Sequence, residues 1–359
     1  MILEYFLARA IFFVCKNILH GVRIWSFGSD MKFSVIIPTR NRSHILKAAL
    51  DSVLRQDFSD FEVLIVDDAS ESEHQRINAD IALAAGVKVT YLLLQQGSDG
   101  AHGLPAVSRN AGIAAANGEL LAFLDDDDHW SDPAYLSRAA QAFKLCPDLE
   151  FLFADQQAWF NGQCVREHWQ PNLRLRLRGR TQVGEELYEL SRADCLAVDV
   201  VTTQMNVCVF RRDFLQRLGG FNPKLGYGED MDMYVRAADA ANKIYFLDRV
   251  VAIHNRPDRQ KNLNMSSLAG MHKMLIGMAI ANDLMCVCRT PEAWRYARHW
   301  AATDSRDLAR FAEEVWGPGR ALTWAAVALA YRFTLKWFIY VGFLFVRGLV
   351  CRDKAIRQN

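Results

Sequence analysis

Residues Glu119 to Trp130 read ELLAFLDDDDHW, and this stretch decides the fold. Leu120 to Leu124 are all apolar, with none of the polar alternation of a half-exposed strand. A short strand of that kind is buried on both faces, as in a parallel sheet covered by helices. It runs directly into four consecutive carboxylates, Asp125 to Asp128. In open α/β sheets, ligands bind just beyond the carboxyl ends of the strands. Four acids held so close together cannot all ionise unless a cation screens them. The stretch therefore asks for a divalent metal. A solvated acidic loop is the alternative for such a run taken alone, and the apolar strand feeding it tips the reading toward a site.

Upstream, Phe33 to Ile37 (FSVII) form an apolar strand stopped by Pro38, followed by the polar turn Thr39-Arg40-Asn41-Arg42. Ser43 can cap a helix whose Ile45, Leu46, Ala49, Leu50, Val53 and Leu54 recur along one face. Phe61 to Val66 (FEVLIV) are a second buried strand, ending in Asp67-Asp68-Ala69-Ser70. Strand, helix and strand in that order make a βαβ unit, which requires parallel pairing and a right-handed crossover. Val87 to Leu94 predict a third strand, and the glycine-rich QQGSDGAHGLPAVSRN leads into a small-residue helix through Ala111 to Asn117. Another helix starts near Asp132-Pro133. Thr39, Asp68, Arg109 and Asp125–Asp128 then face one crevice at a topological switch point. No GxxxxGK[ST] loop is present and no GxGxxG follows a strand, which excludes a P-loop and the usual dinucleotide-binding turn.

The 359 residues suffice for one large domain with appendages, or for two domains. Lys+Arg at 42 against Asp+Glu at 41 leave a formal charge of +1, so no nucleic acid or other bulk polyanion is implied as a partner. The eight cysteines are scattered with no C-x-x-C pair, which argues against structural zinc and for reduced thiols in a cytosolic protein. In MILEYFLARAIFFVCKNILHGVRIWSFGSD, Glu4, Arg9, Lys16 and Arg23 interrupt the apolar residues. An amphipathic helix on a membrane or on the domain fits better there than a secretory signal, and Met31 is an alternative start.

Four phrases, FSVIIPTRNR, LDSVLRQDFSDFEVLIVDDAS, SRNAGIAAANGELLAFLDDDDHW and LGGFNPKLGYGEDMDMYVRAA, together resemble the family 2 glycosyltransferases. The resemblance spans roughly Phe33 to Asn255. It implies the α/β GT-A fold, a Rossmann-like, mostly parallel sheet flanked by helices, and inverting transfer from a nucleotide-diphosphate sugar. It places Pro38 and Thr39 against the nucleotide, Asp68 on its base (typically uracil, hence a UDP-linked donor), and Arg109 on the base or diphosphate. The family's D-x-D signature falls on the acidic run, with Asp127 the first candidate for binding Mn2+ or Mg2+. Asp125 then abuts the ribose or the metal's water shell, Asp126 lies with the donor, and the registers 125/127 and 126/128 stay open. His254 resembles a histidine that contacts the metal or diphosphate, with Arg256 near it.

By the same resemblance Asp230 is the general base that deprotonates an acceptor hydroxyl, Glu229 binds the acceptor or orients the loop, Gly228 belongs to the acceptor side, and Trp130 stands there as the aromatic that follows the motif or simply packs in the core. Gly228-Glu229-Asp230 precede a helix over Met231 to Ala241, whose N-terminal dipole favours a carboxylate. The resemblance implies a saccharide, glycolipid or lipid-linked acceptor in a bacterial surface polysaccharide, glycolipid or glycoprotein pathway. A nucleotidyltransferase and a non-catalytic sugar-nucleotide-binding protein are the alternatives. The processive synthases of the family carry several membrane spans and a Q-x-x-R-W motif, and neither is present here.

Three regions follow: residues 1–30 as a leader or amphipathic helix, 31–260 as the GT-A domain (nucleotide half 31–130, acceptor half 131–260), and 261–359 as a helical, membrane-associating extension. NLRLRLRGR (172–180) alternates Leu and Arg, so an extended segment would line its cations along one side, toward lipid head groups or solvent. In 321–350 the apolar runs are broken by Arg332, Lys336 and Arg347, and each is shorter than the roughly 20 residues a spanning helix needs. Interfacial helices at the inner, cytoplasmic face of the cell membrane fit that pattern, and a buried helix pair is the alternative.

Overall fold

Pro38 has no N–H for a ladder, yet the first strand runs through it as β1 (Phe33–Thr39), the apolar run being buried on both sides. The structure, a computed structural model, describes residues 32–95, 104–256 and 270–357. The expectations for 1–30 fall outside these residues. After β1 come α1 (Ser43–Leu54), β2 (Phe61–Asp67), α2 (Ser72–Ala85), β3 (Val89–Leu93), α3 (Pro105–Ala115) and β4 (Leu120–Phe123). Their strands lie in the order β3-β2-β1-β4 and are all parallel. The chain steps outward from β1 to β3, then crosses back to place β4 on the other side of β1. That reversal opens a crevice between the carboxyl ends of β1 and β4, where the acidic run emerges.

The acceptor-side half contributes β5 (His129–Trp130), α4 (Tyr135–Leu145), β6 (Phe151–Phe160), β7 (Gln163–Arg166), α5 (Pro171–Leu177), β8 (Leu187–Leu190), α6 (Arg192–Cys195), β9 (Cys208–Arg211), α7 (Arg212–Arg217), α8 (Glu229–Ala240) and β10 (Ile244–Asn255). The sheet continues β4-β9-β6-β10-β5, with β9 antiparallel to both neighbours and β10 parallel to β6. Parallel pairing thus rules the nucleotide half, and the second half is mixed. Aromatic packing joins the halves: Phe151 stacks on Phe210 at 4.7 Å, and Phe123 meets Phe210 and Phe221 edge-on. Burying each such ring contributes about 1.5–3 kcal/mol.

Three sequence expectations need correction. The Leu/Arg alternation of 172–180 is not a strand, because Pro171 opens the helix α5 and Leu173 and Leu177, four apart, are its buried face. Three of its four cations pair with acids of the chain: Arg174 Nε with Asp248 at 2.6 Å, Arg176 with Asp199 at 2.5 Å and Arg180 with Asp194 at 2.7 Å, while Arg178 is exposed. The helix therefore does not line the cations along one side as an extended segment would. The helix expected from Ala111 begins at Pro105, so Arg109 and Asn110 are helical and not in the loop. The helix expected from Met231 begins at Glu229 and takes Asp230 into its first turn.

Four helices follow, α9 (Gly270–Val287), α10 (Pro291–Trp316), α11 (Pro318–Tyr331) and α12 (Leu335–Arg357). Asp239 near the end of α8 accepts from the Arg289 and Thr290 N–H groups at 2.8 and 2.9 Å, tying the start of α10 to the helix that carries Asp230. Ala309 and Ala312 of α10 meet Ala321, Ala325 and Ala328 of α11, and Trp337 of α12 donates its indole N–H to the Ala325 carbonyl at 2.9 Å. Leu344 is buried with them. The opposite side of α12 exposes Leu335, Phe338, Ile339, Phe343, Phe345, Val346 and Leu349, each more than half accessible. No helix among the described residues is long and apolar enough to cross a membrane.

Candidate active site

The four acids leave β4 with alternating exposure. The Asp126 and Asp128 carboxylates are 5% and 0% exposed, whereas Asp125 and Asp127 keep 31% and 30%. The inward pair is tied to the scaffold. Thr39 Oγ1 donates to Asp126 Oδ2 at 2.7 Å, and Arg42 Nη1 to Asp126 Oδ1 at 2.8 Å. Asp128 accepts from the Asn255 N–H at 2.6 Å, pairs with His254 Nδ1 at 3.0 Å and takes a bond from the Asn206 amide. Asn206 also accepts from the Asp125 N–H at 3.0 Å, so one buried amide splints both ends of the run. Of the outward pair, Asp125 is held by Arg109 Nη2 at 2.6 Å and Asp127 by Arg42 Nη1 at 3.0 Å.

Oxygens of Asp125, Asp127 and Asp128 lie within 4.8 Å of one another. An all-carboxylate group of that size suits a hard cation such as Mg2+ or Mn2+. Burial, then the Asp128 and Asp126 charges, push Asp127 up to about 8 against the pull of Arg42. Close acids thus disfavour their own full ionisation, which a cation among them would relieve. His254, expected among the metal ligands, is bound through Nδ1 to Asp128 and stands outside the three-carboxylate group. Asp128 screens it, and its own value is raised against burial by that carboxylate.

On the β1–β2 side, Asp68 sits just past the strand end, with its N–H on the Thr39 carbonyl at 3.0 Å and its carboxylate 3.9 Å from Arg40. Its neighbour Asp67 is structural: fully buried, it accepts from the Ser70 N–H, Asn78 Nδ2 and Tyr91 Oη, each at 2.8 Å. Pro38 and Thr39 line the same strand exit.

Arg109 joins the two halves. Both terminal nitrogens form 2.6 Å ion pairs, one with Asp125 and one with Glu229, and the side chain is 4% exposed. The fork expected to meet the base or diphosphate holds carboxylates of this chain. Its buried Nε–H alone lacks a protein partner. Glu229, expected to bind the acceptor or to orient the loop, is turned inward onto Arg109. Trp130, also expected there, is 3% exposed, donates to the Asn206 carbonyl at 2.8 Å and packs on Tyr135. Its ring belongs to the core, because β5 pairs with β10 and draws it under the sheet. Gly228 is the N-cap of α8 at φ +78, and a Cβ there would lie 2.9 Å from Ile280.

Asp230 follows in the first turn of α8 and keeps a partly open face. Burial, then the neighbouring Glu229 charge, raise it to about 7, while Arg109 draws it down. A carboxylate poised there can accept a proton from a hydroxyl near neutral pH. Sequence reasoning missed Arg42, Asn206 and Asn110. Asn206 did leave a signal, a lone amide inside the apolar MNVCVF, while Arg42 left none in a turn rich in polar residues.

Comparison with known proteins bears on this geometry. A Glycosyl transferase family 2 model matches residues 34–218. The GalNAc(5)-diNAcBac-PP-undecaprenol β-1,3-glucosyltransferase of Campylobacter jejuni is 26% identical over 68% of this chain and 71% of its own length. An uncharacterized glycosyltransferase of Nostoc is 40% identical over 32% of this chain, a stretch that spans 33% of that relative. Among solved structures, Staphylococcus aureus TarS bound to UDP-GlcNAc superposes with a TM-score of 0.60 at 21% identity, covering 84% of this chain and 80% of that one. A mannosyltransferase of Pyrobaculum calidifontis with GDP-Man and Mn2+ gives 0.54 at 16% identity, over 99% and 90%. The fold is GT-A with a C-terminal helical extension, the enzyme is a glycosyltransferase, and the chain belongs to glycosyl transferase family 2.

Proposed function

We propose that the protein transfers a sugar from a nucleotide-diphosphate sugar to an acceptor hydroxyl in one inverting displacement, with Asp230 as the general base. The observation that carries this reading is the shared guanidinium of Arg109, which ties the Asp125 end of the acidic run to the Glu229-Asp230 turn. Leaving group and nucleophile would thus be handled from two motifs held in one frame. Asp230 accepts the hydroxyl proton as the oxygen forms its bond to C1 of the sugar and the C1–oxygen bond to the diphosphate breaks. One base suffices, and no sugar–enzyme bond forms.

Pro38, Thr39 and Asp68 line the place for the nucleotide, with Asp68 suited to accept from a base imide N–H such as that of uracil. Asp125 and Asp127, with Asp128 behind them, would hold Mn2+ or Mg2+, which when bound supplies Lewis-acid stabilisation of the departing nucleoside diphosphate. UDP-GlcNAc in the TarS structure and Mn2+ in the Pyrobaculum one make these the first donor class and ion to test.

The Campylobacter relative's undecaprenol-linked acceptor makes a lipid-linked saccharide the leading acceptor class. The exposed apolar face of α12 supports contact with a bilayer at its cytoplasmic side. Residues 318–349 carry Arg320, Arg332, Lys336 and Arg347; Arg347 pairs with Glu313, and the other three match an anionic head-group surface.

The enzymatic test is to incubate the purified protein with Mn2+ and a panel of UDP, GDP and dTDP sugars, measuring nucleoside diphosphate release with acceptor extracts. Turnover with one donor, lost in Asp230→Asn with donor binding retained, is expected. Absence of turnover and binding across the panel would overturn the reading. Sedimentation with phosphatidylglycerol vesicles tests the α12 face: binding lost in Phe338→Glu/Phe345→Glu supports it, and dimerisation without vesicle binding refutes it.

A further inference from the structure

Each acid of the run takes a partner from a different segment. Asp125 has Arg109, Asp126 has Thr39 and Arg42, and Asp128 has His254, Asn255 and Asn206. Asp127 has only a share. The nitrogen that reaches it at 3.0 Å, Arg42 Nη1, is the same one already 2.8 Å from Asp126. Asp125 and Asp127 both belong to the three-acid group and keep 31% and 30% exposure, but Asp125 is already held by Arg109 at 2.6 Å, which leaves Asp127 the less firmly partnered of the two toward an incoming cation.

The backbone beneath Arg42 is fixed. Asn41 stands at φ +53, with its N–H on Ser70 Oγ at 2.8 Å and its side-chain oxygen accepting from the Glu71 N–H at 2.7 Å. The Arg42 carbonyl accepts from the Ile45 N–H at 3.0 Å and so starts α1. Only the side chain is free to move. It retains 30% exposure on the crevice side, enough to swing while its Cα stays put.

We propose that Arg42 is a built-in counter-ion that competes with the divalent cation for Asp127, holding the acidic run together when no cation is bound. This rests on the metal reading above. A guanidinium and a divalent ion on one carboxylate lie close enough to repel strongly at the effective dielectric of a protein crevice. Arg42 therefore keeps Asp126 and releases Asp127 when the ion arrives. The consequence is a raised threshold for the ion alone, so that the site fills chiefly when diphosphate oxygens add their own attraction.

Mn2+ alone, titrated into the full chain and followed by the loss of the free-ion electron paramagnetic resonance signal, reads this directly. Arg42→Gln is expected to bind Mn2+ about tenfold more tightly than the wild type, since one repelling charge beside the site is removed. Without Mn2+ the same variant should melt at a lower temperature, and Mn2+ should restore most of the difference. Arg42→Met, uncharged and of similar length, is the second variant should the amide not fold. Arg42→Lys keeps the charge and should stay within about twofold of the wild type. Unchanged or weaker Mn2+ binding in the uncharged variants, or equal tightening in the lysine variant, overturns the inference and leaves the metal reading standing. Failure of the wild type and every variant to bind Mn2+ removes the metal reading itself, and the inference with it.

Discussion

Arg109 Nη1 donates to Glu229 Oε1 at 2.6 Å with both side chains nearly buried, while its other terminal nitrogen holds Asp125. The residues come from α3 and α8, 120 positions apart, and the pair fastens the two halves of the site. Removing the cation leaves two carboxylates without their partner, Glu229 deeply buried and Asp125 partly so. Arg109→Met should therefore cost about 3–5 kcal/mol of stability in urea unfolding. Arg109→Lys should recover only part of it, since an ammonium lacks the planar fork that reaches both acids. A loss under about 1 kcal/mol for the methionine variant would mean that the bridge contributes little to holding the halves together.

The acid limb of the pH profile should belong to Asp230. Its carboxylate is raised to about 7, first by burial and then by Glu229, with Arg109 opposing. The ionised form is the competent base, so kcat/KM should fall about tenfold per pH unit below that value and level off above it. Asp230→Asn should lower kcat by at least about a thousandfold and leave donor affinity within a few-fold of the wild type. An unchanged limb in a variant with residual activity would assign the ionisation to another group.

The register of the acidic run is open to direct measurement. Asp125 and Asp127 turn toward the crevice, and Asp126 is occupied by Thr39 and Arg42. Mn2+ affinity should drop about tenfold or more in Asp125→Asn and Asp127→Asn, because each removes a charged oxygen ligand. Asp126→Asn should change it only a few-fold while lowering the melting temperature, its loss being that of a buried hydrogen-bonded acid. The reverse order would place the ion in the 126/128 register.

The nucleotide half was legible because its signals are local. The fully apolar FSVII, FEVLIV and LLAFL segments announce buried parallel strands, and the one-sided apolar spacing of α1 announces the crossover between the first two. Thr39, Asp68 and the acids meet because strand ends converge, which topology guarantees. Arg42 and Asn206 were not legible in their roles, since each reaches the run from more than eighty residues away. Such contacts leave no periodicity. The 172–180 segment misled for a different reason: its Leu–Arg alternation has the period of a strand, but Pro171 and the i,i+4 pair Leu173 and Leu177 fit a helix equally well, and packing chose the helix. For Trp130 and Glu229 the sequence left two roles open, because a motif records which residue stands beside a site and not which way its side chain turns; the structure shows Trp130 packed in the core and Glu229 turned onto Arg109.

A further link between the halves is the pair Asn110 and Gly220. Asn110 Nδ2 donates to the Phe221 carbonyl and its Oδ1 accepts from the Phe221 N–H, both at 2.8 Å, so the amide imitates a strand neighbour for the loop before Asp230. Gly220 permits this approach: its φ is +71, and a Cβ there would stand 2.5 Å from Asn110 Oδ1. Gly220→Ala should cost about 1–3 kcal/mol through strain and displacement of the amide. Asn110→Ala should cost about 1–3 kcal/mol through the two backbone groups it leaves unpaired. In the double variant the alanine at 220 no longer meets the amide, so only its backbone strain remains, and the two losses should sum to less than their parts by more than about 0.5 kcal/mol. Strict additivity in urea unfolding would show that the loop is held elsewhere and that the contact is incidental.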